Sequence, residues 1–247
     1  PSDNVAMNSR SGFESAGAGA HAVSRQQLLE RLDQLLEPER FKDYGPNGLQ
    51  VEGRSPVRKI VSGVTASLAL IEAGVARGAD ALFVHHGLFW SGVQPLVGIP
   101  YEKFRSILGS GLAVYASHLP LDLHAEHGNN VRLAQALGLT PDGGFARFKT
   151  VDIGVTGTTN EPTDDVVHRV QAFSARYGGS VRTSIPAQGR RTHRWAICTG
   201  GGASSETLRE ARDRGVDTLI VGEGPHHTTV DAIEHAERRI VRRGQHF

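Results

Sequence analysis

The chain has 247 residues, of which 38% are hydrophobic, and a formal net charge of +1. This length supports one large domain or two small ones with their own cores. The near-neutral charge excludes a strong electrostatic attraction to nucleic acid or to a membrane surface. No run approaches the roughly 18 apolar residues that a membrane-spanning helix needs. The single cysteine, Cys198, excludes an intramolecular disulfide and is typical of a reducing compartment such as the cytoplasm.

The first 23 residues are small and polar, without a long apolar segment. We expect a disordered extension over residues 1–23 rather than a signal peptide. Ordered structure is expected to begin at Ser24, which can cap a helix. The leucines of that helix fall on one stripe: Leu28, Leu29, Leu32, Leu35 and Leu36. Residues 44–53, YGPNGLQVEG, are then rich in turn signals.

Two segments of the chain resemble each other. Residues 60–87 align with residues 197–224 without a gap, and ten of the 28 positions are identical. The identities include a serine before each predicted helix, Ser67 and Ser204, and a glycine after it, Gly78 and Gly215. This agreement indicates a duplicated unit, although similar packing could also produce some of the identities independently.

Each copy has the pattern of a strand, a helix and a second strand. The second strands are predicted over Ala81–Val84 and Thr218–Val221, and their continuous apolar character is typical of parallel strands buried on both faces. We therefore expect an α/β protein with two similar lobes, residues 24–143 and 144–247. A further helix, Thr163 to Tyr177, is assigned to the second lobe.

Polar clusters follow the apolar strands. His85 and His86 end the strand in LFVHHGLFW, and the corresponding strand of the second copy leads into GEGPHH, residues 222–227. Another apolar strand, Ala113–Ala116, leads into His118 and Asp122. Because sites form beyond the carboxyl ends of parallel strands, we expect one site in a cleft between the lobes.

These residue types are metal ligands. Imidazole and carboxylate bind Zn, Fe, Mn, Co or Ni. Neighbouring residues of a strand point to opposite faces, so His85 and His86 would each serve a different ion, and Asp122 has two oxygens that can bridge a pair. Two such ions activate water at about 3.5–4 Å separation. The residues alone leave a second interpretation open, in which the histidines are ordinary polar residues at strand ends.

Several other features have a simpler structural interpretation. Cys198 is expected to be a small core residue rather than a nucleophile. Phe89 and Trp90 are expected to be core or subunit-interface anchors rather than a base-stacking platform. The glycine turn CTGGGASS fits tight packing between a strand and a helix better than an anion site. Three more histidines are expected on the surface: His124, His127 and His235.

Six motifs occur in order between residues 43 and 228: DYGPNGLQVEG, GVTAS, GADALFVHHGLFW, HLPLDLHAEHGNN, CTGGG and GEGPHHT. Together they resemble the Nif-three-like dinuclear-metal family, whose members are often labelled GTP cyclohydrolase type 2 homologues. The resemblance implies two α/β lobes, a two-metal site between them and a toroidal hexamer. It also implies a small-molecule substrate, for which a nucleotide is the candidate.

The resemblance also implies roles for individual residues. His85 and His86 each ligate one metal ion, Asp122 bridges both ions, and His118 lines the pocket as a supporting or proton-transfer group. The pocket is completed from the other lobe by Glu223, His226 and His227. The family pattern then ends with a glycine–histidine–aromatic–Ala–Thr–Glu motif, whereas this sequence reads RGQHF over residues 243–247. His246 is the candidate for the motif's histidine, and no matching glutamate is present.

Two functions are compatible with these features. The first is a metal-dependent hydrolase in which activated water attacks a nucleotide base, as the label GTP cyclohydrolase implies, or a similar substrate. The second is a hexameric metal-binding or regulatory scaffold without turnover, which the incomplete terminal motif favours. The sequence predicts no specific binding of nucleic acid.

Overall fold

The computed structural model describes residues 22–90, 92, 94–225 and 227–234. The chain forms two units: the first combines residues up to Leu35 with Tyr44–Ala116, and the second combines Leu36–Asp43 with the chain from Ser117 onward. Each unit contains one four-stranded sheet and several helices, so the predicted α/β class with two similar halves is confirmed. The boundary between residues 143 and 144 and the disordered extension over residues 1–23 stay predictions.

The first unit has a mostly parallel sheet in the order β1-β4-β3-β2. Strands β2, β3 and β4 are parallel, and β1 runs antiparallel to β4. Leu82 and Val84 in the central strand β3 are fully buried, as expected for a strand with both faces covered. The elements are α1 Arg25–Leu36, β1 Gly48–Val51, β2 Ile60–Thr65, α2 Leu68–Ala76, β3 Ala81–His86, α3 Ile99–Ser110 and β4 Ala113–Ala116.

The first helix begins where the sequence predicts. The hydroxyl of Ser24 accepts a hydrogen bond from the Gln27 backbone N–H at 3.1 Å, and the Gln27 side chain accepts one from the Ser24 N–H at 3.0 Å. This reciprocal pair satisfies two N–H groups that the helix itself leaves unbonded. None of the helices in the described part of the chain is long and apolar enough to cross a membrane.

The second unit has a sheet in the order β5-β6-β7-β8, in which β7 and β8 are parallel and the other pairs are antiparallel. The sequence predicts the parallel pair and helix α6 but not the β5–β6 hairpin. Its elements are α4 Leu119–Asp122, α5 Asn129–Ala136, β5 Gly143–Phe148, β6 Val151–Pro162, α6 Thr163–Arg176, β7 Arg191–Cys198, α7 Ser205–Asp213 and β8 Thr218–Val221. A short 3-10 turn, Pro38–Arg40, precedes them, and a helical segment covers residues 227–234.

The duplicated unit is visible in the backbone of both copies. Ser67 and Ser204 cap α2 and α7, each accepting a hydrogen bond from the N–H three residues ahead, at 3.2 and 3.1 Å. Gly78 and Gly215 follow the two helices with positive φ angles of 65° and 73°. A left-handed residue ends a helix with little strain when it is glycine. The predicted strand–helix–strand units are therefore present in both halves.

The gapless alignment of the two copies is wrong over their first strands. Ala81 of β3 pairs with Ile60 of β2, whereas its counterpart Thr218 pairs with Trp195, two residues before the position that the alignment assigns. The turn of the second copy is therefore two residues longer. The alignment goes wrong because glycines occur on both sides of the turn, so that glycines can be matched without the gap that the structure requires.

The extra residues of the second copy are Gly201 and Gly202. In the first copy, Thr65 of β2 is followed directly by the turn residue that bonds back to β3. In the second copy the longer turn passes close to the end of β7. A Cβ at Gly202 would lie 2.1 Å from the Cys198 carbonyl oxygen. Glycine at that position is thus required by the close approach of the backbone.

Candidate metal centre

The two adjacent histidines lie at the end of β3, and both are half-buried. The ring centroids of His85 and His86 are 4.8 Å apart, with the planes tilted by 38°. Thr65 lies opposite His86 in the neighbouring strand, and its hydroxyl oxygen is 3.1 Å from His86 Nδ1. Adjacent side chains diverge along a regular strand, but these two rings remain close where the strand ends.

The register of β3 and β4 explains how His118 reaches the same place. Val84 of β3 lies opposite Ala116 of β4, so two residues further along each chain segment His86 and His118 arrive at the same level. One ring nitrogen from each of His85, His86 and His118 lies within 4.8 Å of the others. Among the residues that the structure describes, this is the group of three metal-ligating side chains at such a spacing.

His118 is held by a buried carboxylate. Its Nδ1 lies 2.8 Å from Asp43 Oδ1, and the Asp43 side chain is only 1% exposed. The second oxygen of Asp43 accepts a hydrogen bond from the Leu119 backbone N–H at 3.0 Å. Both oxygens of this carboxylate are therefore engaged at the start of α4.

Asp122 lies one helical turn beyond His118. Its Oδ2 is 3.8 Å from His118 Nε2, and its Oδ1 accepts a hydrogen bond from the Asn129 side chain at 2.7 Å. The loop between α4 and α5 is tight, since a Cβ at Gly128 would lie 2.6 Å from the Asp122 carbonyl oxygen. Buried Asn130 holds the same loop by donating to the Ile153 carbonyl at 2.8 Å and accepting from the Thr199 N–H at 2.8 Å.

This donor set fits a divalent transition metal. Three imidazoles and one carboxylate are the ligands that Zn and Fe take in proteins, and Asp122 keeps further lone pairs on both oxygens. The hydrogen bond that Asp43 accepts from His118 and the one that Asn129 donates to Asp122 orient these side chains in the way that supporting residues of metal sites do. The structure thus brings together three of the predicted site residues, His85, His86 and His118, and places the Asp122 carboxylate 3.8 Å from His118.

Other predicted pocket residues have different positions. Glu223 is exposed and follows β8, at the position that corresponds to His86 in the repeat. His227 is also exposed, in the helical segment over residues 227–234. Two further candidates, His226 and His246, lie outside the described residues, as does His235.

Two aromatic residues lie beside the histidines. The ring of Trp90 is 4.8 Å from the ring of His86 and 5.7 Å from that of Tyr44. Trp90 is 39% exposed and Tyr44 is 62% exposed, so neither is a core anchor. Cys198, in contrast, is fully buried, and burial together with the charges of Asp122 and Glu210 raises the pKa of its thiol to about 12. A thiol that stays protonated is a poor nucleophile, as the core interpretation predicts.

Sequence reasoning missed three residues that support the site: Asp43, Thr65 and Asn129. Asp43 immediately precedes the turn-rich YGPNG segment, where a carboxylate is easily taken for a turn residue. Asn129 stands at a helix start, where asparagine is common without any other role. Only the fold shows that these side chains contact His118, His86 and Asp122.

Residues 23–247 match the model of the family Duf34/NIF3 (NGG1p interacting factor 3). Two relatives named "GTP cyclohydrolase 1 type 2 homolog", from Pseudomonas aeruginosa and Vibrio cholerae, are each 39% identical to this chain over 86% of it and 83% of their own length. A solved structure described as "Structural genomics, protein ybgI, unknown function" is 36% identical, with a TM-score of 0.74 over 86% of this chain and 83% of that one.

Proposed function

Because the chain belongs to the Duf34/NIF3 family, we propose that it is a metal-dependent hydrolase with a pair of divalent ions at the end of β3. The observation that supports this proposal most is the convergence of three imidazoles within 4.8 Å, with the Asp122 carboxylate 3.8 Å from His118. Isolated histidines at strand ends have no reason to gather in this way. The donor set and its supporting hydrogen bonds together favour a metal site over the interpretation as ordinary polar residues.

The proposed roles of the side chains come from the family resemblance. His85 and His86 would each hold one ion, and the Asp122 carboxylate would be shared between the two. When bound, such ions lower the pKa of water and stabilise negative charge on the substrate. His118, whose Nε2 is 3.8 Å from Asp122 Oδ2, would serve as the proton-transfer group of the pocket. Zn, Fe, Mn, Co and Ni all suit these ligands.

We propose a nucleotide base, or a similar heterocycle, as the substrate. The relatives carry the name "GTP cyclohydrolase 1 type 2 homolog", which points to a guanine nucleotide. The exposed rings of Tyr44 and Trp90 support the same substrate class, since Trp90 lies beside His86 and aromatic side chains stack on bases of any sequence. Its exposure speaks against the core role that the sequence suggests for Trp90, and a role in a subunit interface stays a prediction.

Further parts of the proposal concern residues and properties beyond this cluster. A toroidal hexamer is proposed from the family resemblance, and the cytoplasm is proposed from the single cysteine. Three more residues are proposed to line the pocket, Glu223, His226 and His227, and His246 is proposed as a further metal ligand.

Turnover with reconstituted protein tests this proposal. Protein loaded with each candidate metal is incubated with GTP and a panel of other nucleotides, and formate release and base hydrolysis are followed. We expect metal-dependent turnover that falls at least about 100-fold in Asp122→Asn, since loss of a supporting group alone costs 10–100-fold. Asp142→Asn is the matched control, because Asp142 is an exposed aspartate of the same unit. If metal binds at the histidines but no compound of the panel is turned over, the result would contradict the proposed hydrolase and support the metal-binding scaffold without turnover.

A further inference from the structure

Asp43 is a buried carboxylate whose two oxygens have different partners. One oxygen faces the Nδ1 of His118 at 2.8 Å, and the other accepts from the Leu119 N–H at 3.0 Å. With the side chain 1% exposed, little solvent is available to replace either hydrogen bond. The backbone bond fixes the plane of the carboxylate, and the carboxylate in turn fixes the plane of the imidazole.

We propose that Asp43 is a positioning residue that sets the tautomer of His118. An ionised carboxylate can only accept a hydrogen bond, so Nδ1 must carry the hydrogen of the neutral ring. The lone pair then lies on Nε2, the nitrogen that faces Asp122 at 3.8 Å. A lone pair at this nitrogen is needed whether His118 takes a proton or binds a metal ion, so the consequence for chemistry rests on the proposed function.

The backbone contact of Asp43 makes the proposal specific. In Asp43→Asn the Leu119 N–H still requires an acceptor, which only the amide oxygen can supply. The amide NH₂ is then turned toward His118 and donates to Nδ1. The ring must place its hydrogen on Nε2, which faces the proposed metal site. Asp43→Asn, which replaces one carboxylate oxygen by an NH₂ group, therefore inverts the tautomer of His118 and leaves the imidazole ring in place.

The tautomer is measured directly by ¹⁵N NMR of histidine-labelled, metal-free protein. In the wild-type protein we expect the His118 signals of a protonated Nδ1 and an unprotonated Nε2, and in Asp43→Asn the inverse pattern. The matched control is Asp217→Asn, because Asp217 lies in the same unit but accepts from the backbone N–H groups of His193 and Arg194. It should leave the His118 signals unchanged. A wild-type His118 protonated at Nε2, or no inversion in Asp43→Asn, overturns the proposal.

A second readout is Zn²⁺ affinity, measured by competition with a chromophoric chelator. Asp43→Asn should bind Zn²⁺ about 10–100-fold more weakly than the wild-type protein, because the Nε2–H of His118 would then point toward the proposed metal site; this is the range typical for loss of a supporting residue. Asp217→Asn should match the wild-type affinity, and equal affinity of both variants overturns the proposal. If Asp43→Asn does not fold, the wild-type NMR pattern decides. Wild-type protein that binds no Zn²⁺ contradicts the proposed function, whereas the metal-free NMR result still decides the role of Asp43.

Discussion

The two copies of the strand–helix–strand unit share a backbone conformation but carry different side chains at the end of the second strand. In the first copy the Ala66 N–H donates to the His86 carbonyl at 2.9 Å, and in the second the Ala203 N–H donates to the Glu223 carbonyl at 3.4 Å. The same hydrogen bond thus closes both units. At this point the first copy carries two imidazoles, and the second carries Gly222 and a carboxylate. The comparison teaches that the fold supplies the position and that single side chains decide what is bound there.

The copies also differ in how their first strand reaches the helix. The turn is immediate after β2, whereas Gly201 and Gly202 lengthen it after β7. The aspartate before the second strand is common to both. Asp80 accepts from two backbone N–H groups just before β2, and Asp217 accepts from two backbone N–H groups of β7. The two copies have thus diverged at the strand end where the first copy has the candidate metal site. They have not diverged at the opposite end, where the aspartates lie.

The largest expected effect is on Zn²⁺ affinity, and it distinguishes the end of β3 from the end of β8. His86→Ala should weaken Zn²⁺ binding by more than about 100-fold, since it removes a proposed ligand rather than a supporting group. Glu223→Ala changes the corresponding residue of the second copy and should alter the affinity less than about threefold by the same reasoning. Isothermal titration with each metal-free variant checks both. Equal losses in the two variants would mean that Glu223 belongs to the metal shell and that the copies have not diverged in this way.

A smaller effect is expected in the lengthened turn. Gly202→Ala should lower the free energy of unfolding by about 2–3 kcal/mol, because its Cβ would press on the Cys198 carbonyl. Gly201→Ala is the matched control, since a Cβ there meets nothing within 4 Å. Urea denaturation of both variants gives the comparison. A Gly201→Ala protein as unstable as Gly202→Ala would show that the backbone conformation, not the close approach, requires glycine.

The smallest effect concerns the shared aspartates. Burial opposes the charge of Asp80, but hydrogen bonds from the N–H groups of Arg58 and Lys59 and from Arg54 outweigh it and lower its pKa. A lowered pKa contributes stability above the ordinary value of about 3.9, and this contribution is lost as the pH falls toward the lowered value. Asp80→Asn should therefore cost about 1 kcal/mol at pH 7 and less below pH 4.

Urea denaturation at pH 7 and pH 3.5 measures this difference for Asp80→Asn. Asp217→Asn should be destabilised by a similar amount at pH 7, because it accepts from two equivalent N–H groups. A cost for Asp80→Asn that grows in acid would contradict the direction of the pKa shift.

Much of the fold follows from the sequence because local signals and burial agree. Ser24, Ser67 and Ser204 predict helix starts, and the continuous apolar runs predict β3, β4 and β8. The hairpin of β5 and β6 could not be predicted in this way. Strand β6 is rich in glycine and threonine, and Gly157 is required by the ring of Trp195, with which a Cβ would collide at 2.4 Å. Such a requirement depends on a residue far along the chain.

The histidines and the aspartate of the candidate site could be predicted from the sequence, but the residues that support them could not. His85, His86, His118 and Asp122 stand directly at strand or helix ends, where polar residues after an apolar run are conspicuous. Asp43 is separated from His118 by 75 residues, and nothing local distinguishes it from a turn aspartate. The likeness of the two copies predicts polar clusters at both strand ends, and the role of exposed Glu223 at the second of these ends stays a prediction.

Anomalous X-ray diffraction from crystals soaked in Zn²⁺ tests the central claim most directly. The account predicts two anomalous peaks at the end of β3, one about 2.0–2.1 Å from a nitrogen of His85 and one from a nitrogen of His86, with an Asp122 oxygen about 2.0–2.2 Å from both. Zinc found elsewhere, with no peak within reach of these three side chains in the soaked crystals, would contradict it.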